Sequence, residues 1–169
     1  MEIGGVFFSL HLKTVYFYFM KKVLTFCTMT VAILVSGQET TFDDLKLILA
    51  REATVDKEEE NVVHYSVDQL PVYLIVDEDA NRMRLMSPVV ETKDLSEEDL
   101  NKLMESNFDR ALDAKYAISE GILWSVYAHP LRELYKDQII DAFNQVRNLV
   151  YNYGTSYAST TMLFGGEGG

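Results

Sequence analysis

The most constraining feature of this chain is the segment at residues 20–37, MKKVLTFCTMTVAILVSG, because it determines which part of the chain forms the folded domain. It begins with two lysines, continues with a mainly apolar stretch and ends in Val-Ser-Gly, which is the pattern of a secretory signal peptide. A membrane-spanning helix needs about 20 uninterrupted apolar residues. Lys21 and Lys22 divide the apolar stretch that begins at Val15. We therefore predict a leader that is cleaved after Gly37, and no stable membrane anchor.

Cleavage at this point removes the only cysteine, Cys27, which lies inside the leader. The mature chain then has no cysteine for a lipoprotein anchor or a disulfide, so its fold is expected to be stable without either. Residues 1–19 precede a complete leader and fit no targeting pattern, so translation is expected to start at Met20. The predicted destination is the periplasm or the medium.

The charge of the mature chain excludes one class of partner. Residues 1–37 carry three of the 15 basic and one of the 26 acidic side chains, which leaves 12 and 25 in residues 38–169, a net charge of −13. Such a surface repels the phosphates of nucleic acids and anionic lipid headgroups. We therefore expect no nucleic-acid partner.

Residues 38–154 are expected to form one α+β domain with the element order α-β-β-β-α-β-β-α. Apolar residues recur at helical spacing in three segments and at strand spacing in five. The helices are predicted at about residues 41–52, 96–111 and 136–153, and the strands at 62–67, 72–76, 82–89, 116–119 and 122–128. This order predicts an antiparallel five-stranded sheet packed with helices. Residues 56–61 are expected to be a charged connector and residues 155–169 a flexible tail.

Local residue patterns set the details of these elements. In the strand at 82–89, Arg82 and Arg84 are expected on a solvated face, and Met83 and Leu85 on a core face. Ser96 begins the second helix as the first residue of a capping box.

The last two strands are expected to form a hairpin. Glu120-Gly121 is its two-residue turn, in which glycine supplies a positive φ. Pro130 ends the second strand because it has no N–H to donate. Trp124 alternates with Ile122 and Val126 and is expected to face the core.

Three segments resemble the YbjN family, whose members are described as bacterial sensory-transduction regulators with a type III secretion chaperone-like fold. The segments are YAISEGILW at residues 116–124, AHPL at residues 128–131 and DQIIDAF at residues 137–143. The resemblance covers about residues 41–153. It implies a small non-enzymatic domain that self-associates or binds protein or peptide segments, with no catalytic residues. The predicted leader distinguishes this chain from cytoplasmic members.

The sequence itself also offers no convincing catalytic, cofactor or metal site. His64 and His129 are the only histidines after the leader, and both are expected to be structural. Residues 77–81, DEDAN, alternate carboxylate and amide oxygens as calcium ligands do, but they lack the glycine and the distant glutamate of an EF-hand loop. We predict a solvated turn there.

Tyrosines are concentrated in the last third of the chain, and they are the candidate interface. Tyrosine gives a large contact area with a polar tip, which is typical of protein interfaces. The five candidates are Tyr116, Tyr127, Tyr135, Tyr151 and Tyr153. The alternative is that these rings cover the sheet within the chain itself.

We therefore predict an exported, non-enzymatic module that binds a protein or peptide, with a homodimer as one arrangement. Two alternatives stay open at this point. One is a small enzyme with a site around His129, using Glu120 or Asp137. The other is a binder of a small apolar ligand held between the helices and the sheet.

Overall fold

The computed structural model describes residues 20–21 and 39–160, and the helices and strands discussed below fall in the second range. The predicted leader lies outside the described residues, apart from its first two. No helix in the described ranges is long and apolar enough to cross a bilayer. In chain order the elements are α1 (Phe42–Leu49), β1 (Thr54–Glu58), β2 (Val62–Val67), β3 (Leu70–Asp77), β4 (Arg82–Glu91), a 3₁₀ turn (Thr92–Asp94), α2 (Glu97–Asp109), β5 (Lys115–Ser119), β6 (Ile122–His129) and α3 (Lys136–Tyr151).

Capping boxes start α1 and α2. The Ser96 hydroxyl accepts a hydrogen bond from the Asp99 N–H, and the Asp99 carboxylate accepts one from the Ser96 N–H. Thr41 and Asp44 make the same pair of bonds at the start of α1. Hydrogen bonds from the capping residue lower the pKa of each aspartate. The predicted capping box at Ser96 is therefore confirmed.

The sheet is antiparallel and has the strand order β1-β2-β3-β4-β6-β5. The predicted α+β class with an antiparallel sheet is confirmed, but the sheet has six strands and not five. The additional strand is β1, which includes part of the segment that was expected to be a connector. All five of its residues are exposed, so it carries none of the apolar alternation by which a strand is recognised.

The hairpin between β5 and β6 has the predicted two-residue turn. Glu120 has φ 51° and Gly121 has φ 75°, which is the pair of positive values that a type I′ turn needs. β6 ends at His129, directly before Pro130. The turn after β3 is closed by the Asp77 carboxylate, which accepts a hydrogen bond from the Ala80 N–H at 2.8 Å.

α3 packs on β4 and β6 and covers one face of the sheet, α1 packs against α3, and α2 lies beside the outer strand β5. Five residues of α3 are fully buried at helical spacing, and they belong to one core cluster with the inward side chains of β2, β3, β4 and β6. These α3 residues are Ile139, Ala142, Phe143, Val146 and Leu149. The core therefore lies between this helix and one face of the sheet.

The inward face of β6 is the opposite of the one expected. Leu123, Ser125 and Tyr127 are buried, whereas Trp124 is only half-buried on the outward face. The prediction that Trp124 faces the core is therefore wrong. Both faces of β6 carry large apolar residues, so alternation alone does not tell which face lies under α3.

The chain after α3 packs between α2 and α3 as far as Ser159. Ser159 is fully buried, its N–H donates to the Arg110 carbonyl, and its hydroxyl accepts from the Leu112 N–H. Asn148 of α3 donates to the Ser159 carbonyl at 2.9 Å. Residues 155–159, although assigned to a tail on sequence grounds, make these contacts, and residues 161–169 lie outside the described ranges.

Candidate functional site

A surface groove separates α1 from the edge of the sheet. Leu47 and Ala50 line it on the helix side, Val55 on the β1 side, and Val63 and Tyr65 of β2 form its floor. Its volume is about 410 Å³, within the range of pockets that bind small ligands or a few side chains. Leu47 is 65% exposed and Val55 is 43% exposed. The groove therefore presents apolar side chains to solvent.

Charged residues fix one end of the groove. The Lys46 ammonium group contacts the carboxylates of Asp43 and Glu58, each at 2.8 Å. The hydrogen bonds that Lys46 donates to Asp43 and to Glu58, the first having the larger effect, raise the pKa of Lys46. The same ammonium group lies 4.8 Å from the centre of the Phe42 ring. The interactions tie α1 to the end of β1, so the groove walls are held together.

The floor of the groove contains a buried polar atom without a partner. Tyr65 is 1% exposed, and its hydroxyl has no hydrogen bond in the described part of the chain. Burial, together with the nearby charge of Glu58, raises the pKa of Tyr65 to about 12. Leaving a buried hydroxyl without a partner costs free energy. A bound group with one polar atom could remove that cost.

The two edges of the sheet differ in how they are covered. At β5, the Asn107 side chain donates to the Tyr116 carbonyl and accepts from the Tyr116 N–H, as a neighbouring strand would. The Gln145 carbonyl accepts from the N–H of Ala114 just before β5. At β1, by contrast, no described side chain bonds to the outward backbone groups. The edge beside the groove is therefore the open one.

No protein-family model matches the sequence, and no curated protein matches it. Solved structures do match. One is the HopA1–SchA chaperone–effector complex, with a TM-score of 0.51 and 12% identity over 64% of this chain and 87% of that chain. Another is the ExsC–ExsE complex, with a TM-score of 0.51 and 18% identity over 66% of this chain and 91% of that chain. The fold is similar to that of type III secretion chaperones. The YbjN resemblance stays a prediction.

Two of the five candidate interface tyrosines lie in the core of this chaperone-like fold. Tyr116 is 3% exposed and donates its hydroxyl to the Leu149 carbonyl at 2.6 Å. Burial raises the pKa of Tyr116. Tyr127 is 2% exposed. Neither ring offers surface to a partner, because in this fold the inward side chains of β5 and β6 lie under the helices.

The other three candidates do not form one patch. Tyr135 and Tyr151 are exposed but lie at opposite ends of α3, roughly 24 Å apart at the rise of an α-helix. Tyr153 is half-buried and packs edge-on against Tyr157, with ring centres 5.8 Å apart. The structure therefore brings no group of these tyrosines together on the surface.

His129 has the surroundings of a structural residue. Its Nδ1 is 2.7 Å from the Pro130 carbonyl and its Nε2 is 3.3 Å from the Gln138 amide nitrogen, so both ring nitrogens are engaged. Glu120 lies beyond the other end of β6, more than about 20 Å away along the strand. No hydrogen bond or ion pair joins His129 to Asp137 in the described residues. The structure therefore does not bring His129 together with either carboxylate that the sequence suggested for it.

Residues 78–81 form a turn, as predicted, and the last residue of this turn bonds to a neighbouring segment. The Asn81 side chain accepts from the Arg132 N–H and donates to the Glu133 carboxylate. Over residues 39–160, no group of three or more His, Cys, Asp or Glu side chains is arranged to hold a metal ion. The Asn81 side chain and the Glu78 carbonyl instead connect this turn to the segment after β6.

The groove residues were not among the candidates from the sequence. The available signal was Leu47, which lies outside the apolar stripe of α1 formed by Leu45, Ile48 and Leu49. An apolar residue on the outer side of a short helix is a hint of a contact surface. Val55 gives no such hint because charged residues follow it.

Proposed function

We propose that this domain binds an extended segment of a partner protein in the groove between α1 and β1. The observation that carries the proposal is the apolar groove with an unpartnered Tyr65 hydroxyl on its floor, directly beside the open edge of the sheet. An extended segment places alternate side chains on one side. One such side chain can enter the groove while the backbone follows the edge of β1, a common mode of peptide recognition.

The comparison with solved structures supports a protein partner. The two solved structures named above are complexes, and one is named a chaperone–effector complex. At 12% and 18% identity they give the fold, so the binding role is part of this proposal. A non-enzymatic role agrees with the bonded ring of His129. Association of two copies of the chain stays a prediction that light scattering would test.

The groove makes a prediction that a peptide library can test. A phage-displayed library of random twelve-residue peptides, selected on the full chain, should yield peptides with alternating apolar residues. Replacing Leu47 or Val55 by aspartate should weaken a selected peptide at least about tenfold, because a charge in an apolar groove is left without a partner. Tyr65→Phe should weaken it less, since the ring is kept. Affinities would be measured by fluorescence anisotropy.

The matched control for the groove variants is Phe108→Asp. Phe108 is 86% exposed on α2, so the change introduces the same charge at an apolar surface position elsewhere. Binding should be unchanged in this variant. Equal binding by the groove variants and the wild type would contradict the proposal. Mass spectrometry of the natively purified protein would also test the ligand-binding alternative. A small apolar molecule that is found in this way and displaced from the groove would favour that alternative and contradict the proposal.

We also propose that the chain is exported to the periplasm or the medium through the segment at residues 20–37. Expressed from Met1 or from Met20, the exported protein should begin at Gln38 when its N-terminus is sequenced. Replacing Lys21 and Lys22 by glutamate should reduce export, because the leader needs a positive start. An intact N-terminus on protein confined to the cytosol would contradict this proposal.

A further inference from the structure

The face of the sheet opposite α1 and α3 has no described helix over it. Its outward side chains form cross-strand rows. One row contains His64, Tyr73, Met86 and Val126, each paired with the next on the neighbouring strand. These side chains are half-buried, although the row crosses the middle of the sheet. We call the outward side of β2, β3, β4 and β6 the open face.

Aromatic rings on the open face hold one another in fixed orientations. The rings of His64 and Tyr73 meet edge to face with centres 4.9 Å apart, and those of Tyr73 and Trp124 with centres 6.0 Å apart. The Trp124 indole N–H donates to the Ser119 carbonyl at 3.3 Å. Aromatic pairs in this geometry are favourable. The open face therefore presents ordered apolar surface.

Two arginines of β4, Arg82 and Arg84, lie on the open face. Arg84 is exposed, and its strand neighbours are Ile75 on β3 and Ala128 on β6. Among residues 39–160, Arg84 has no ion pair, hydrogen bond or ring contact. The next arginine on β4, Arg82, is paired in register with Asp77. The open face thus carries at Arg84 a positive charge that residues 39–160 leave without a paired carboxylate.

This local charge is opposite to the charge of the whole chain, which is −11. Nucleic acid is a poor occupant because that net charge repels phosphates. A second copy is also a poor occupant, since a two-fold contact of the open face with itself would place two unpaired Arg84 side chains in one interface, and unpaired or like charges in an interface are costly. A protein segment that carries a carboxylate between apolar side chains complements both the arginine and the rings.

We propose that the open face is a second binding site, distinct from the groove, for an acidic and apolar segment of a partner protein. Arg84 takes the carboxylate, and Tyr73, Met86 and Trp124 take the apolar side chains. Arginine suits this role because its planar guanidinium group can bind a carboxylate through two parallel hydrogen bonds. The site goes beyond the groove and does not depend on it.

The single tryptophan makes this site testable without a known partner, because Trp124 lies on the open face and is the only tryptophan of the chain. The probe is a twelve-residue peptide of alternating leucine and glutamate, with a second peptide in which glutamine replaces glutamate. At low salt, the acidic peptide should shift the Trp124 emission of the full chain in a saturable way. The glutamine peptide should bind at least about tenfold more weakly.

Variants separate the open face from the groove. Arg84→Gln should weaken the acidic peptide at least about tenfold, whereas Arg51→Gln, another exposed arginine without a described ion pair, should not. Leu47→Asp in the groove should also leave the shift of Trp124 emission by the acidic peptide unchanged. Circular dichroism would show that each variant is folded. Equal binding of the two peptides, no effect of Arg84→Gln, or loss of binding with Leu47→Asp would each overturn the proposal.

Two further outcomes would assign the open face to another occupant and so overturn the proposal. One is a concentration-dependent dimer in light scattering that blocks the acidic peptide. The other is binding to vesicles of anionic phosphatidylglycerol, with a shift of Trp124 emission, while the acidic peptide produces none.

Discussion

Phe143→Ala should lower the free energy of unfolding by about 3–5 kcal/mol, as for other large side chains removed from a core. Phe143 is fully buried in the middle of α3, the helix that packs on both β4 and β6. The backbone of α3 cannot move into the space left by the ring, because α3 packs against strands on one side and against α1 on another. The cavity therefore stays open, and its cost adds to the lost burial.

Urea denaturation followed by circular dichroism would measure this effect, and the melting temperature should fall by roughly 10–20 °C. Phe108→Ala is the control, because Phe108 is 86% exposed on α2. Its effect should stay within about 0.5 kcal/mol, as for other surface changes. A loss below about 1 kcal/mol for Phe143→Ala would show that α3 does not pack as described.

Gln145→Leu should lower the free energy of unfolding by about 2–4 kcal/mol, although it replaces a polar side chain by an apolar one of similar size. Gln145 is 1% exposed, and its carbonyl accepts hydrogen bonds from the N–H groups of Asp113 and Ala114. Its amide nitrogen donates to the Asp141 carboxylate at 2.7 Å. Leucine would leave the buried Ala114 N–H without an acceptor, and an unpaired buried donor is costly.

Gln138→Leu on the same helix is the matched control. Gln138 is half-buried, and its contacts with Tyr127 and His129 are longer, at 3.5 and 3.3 Å. Its loss should cost less than about 1 kcal/mol. Hydrogen exchange adds a local measurement, because the Ala114 amide should exchange faster in Gln145→Leu than in the wild type. Equal stability and equal exchange would mean that another group replaces the glutamine carbonyl.

The fold was largely predictable because its strongest signals are local. The capping box at Ser96, the turn at Glu120-Gly121 and the stop at Pro130 each depend on one or two residues, and each was found where the sequence places it. β1 was missed for the opposite reason. All its side chains are exposed, and it is a strand only because its backbone pairs with β2, which no local pattern reveals.

The functional surfaces were harder to predict because they depend on which side of an element meets the core. β6 is apolar on both sides, and the sequence does not show that Tyr127 lies under α3 while Trp124 lies on the open face. The groove has the same difficulty, since Leu47 and Val55 come together only when β1 is placed beside α1. The number of tyrosines in the last third of the chain does not tell which of their rings are exposed.

The difference between the two sheet edges limits how copies of this chain can polymerise. Asn107 and Gln145 bond to backbone groups at the start of β5, so a strand from another molecule cannot pair with these groups. Among residues 39–160, β1 is the outer strand whose backbone no side chain covers, and a filament needs two usable edges on every subunit. We therefore expect edge pairing between the described strands to favour pairs of molecules over fibres in a concentrated solution of this protein.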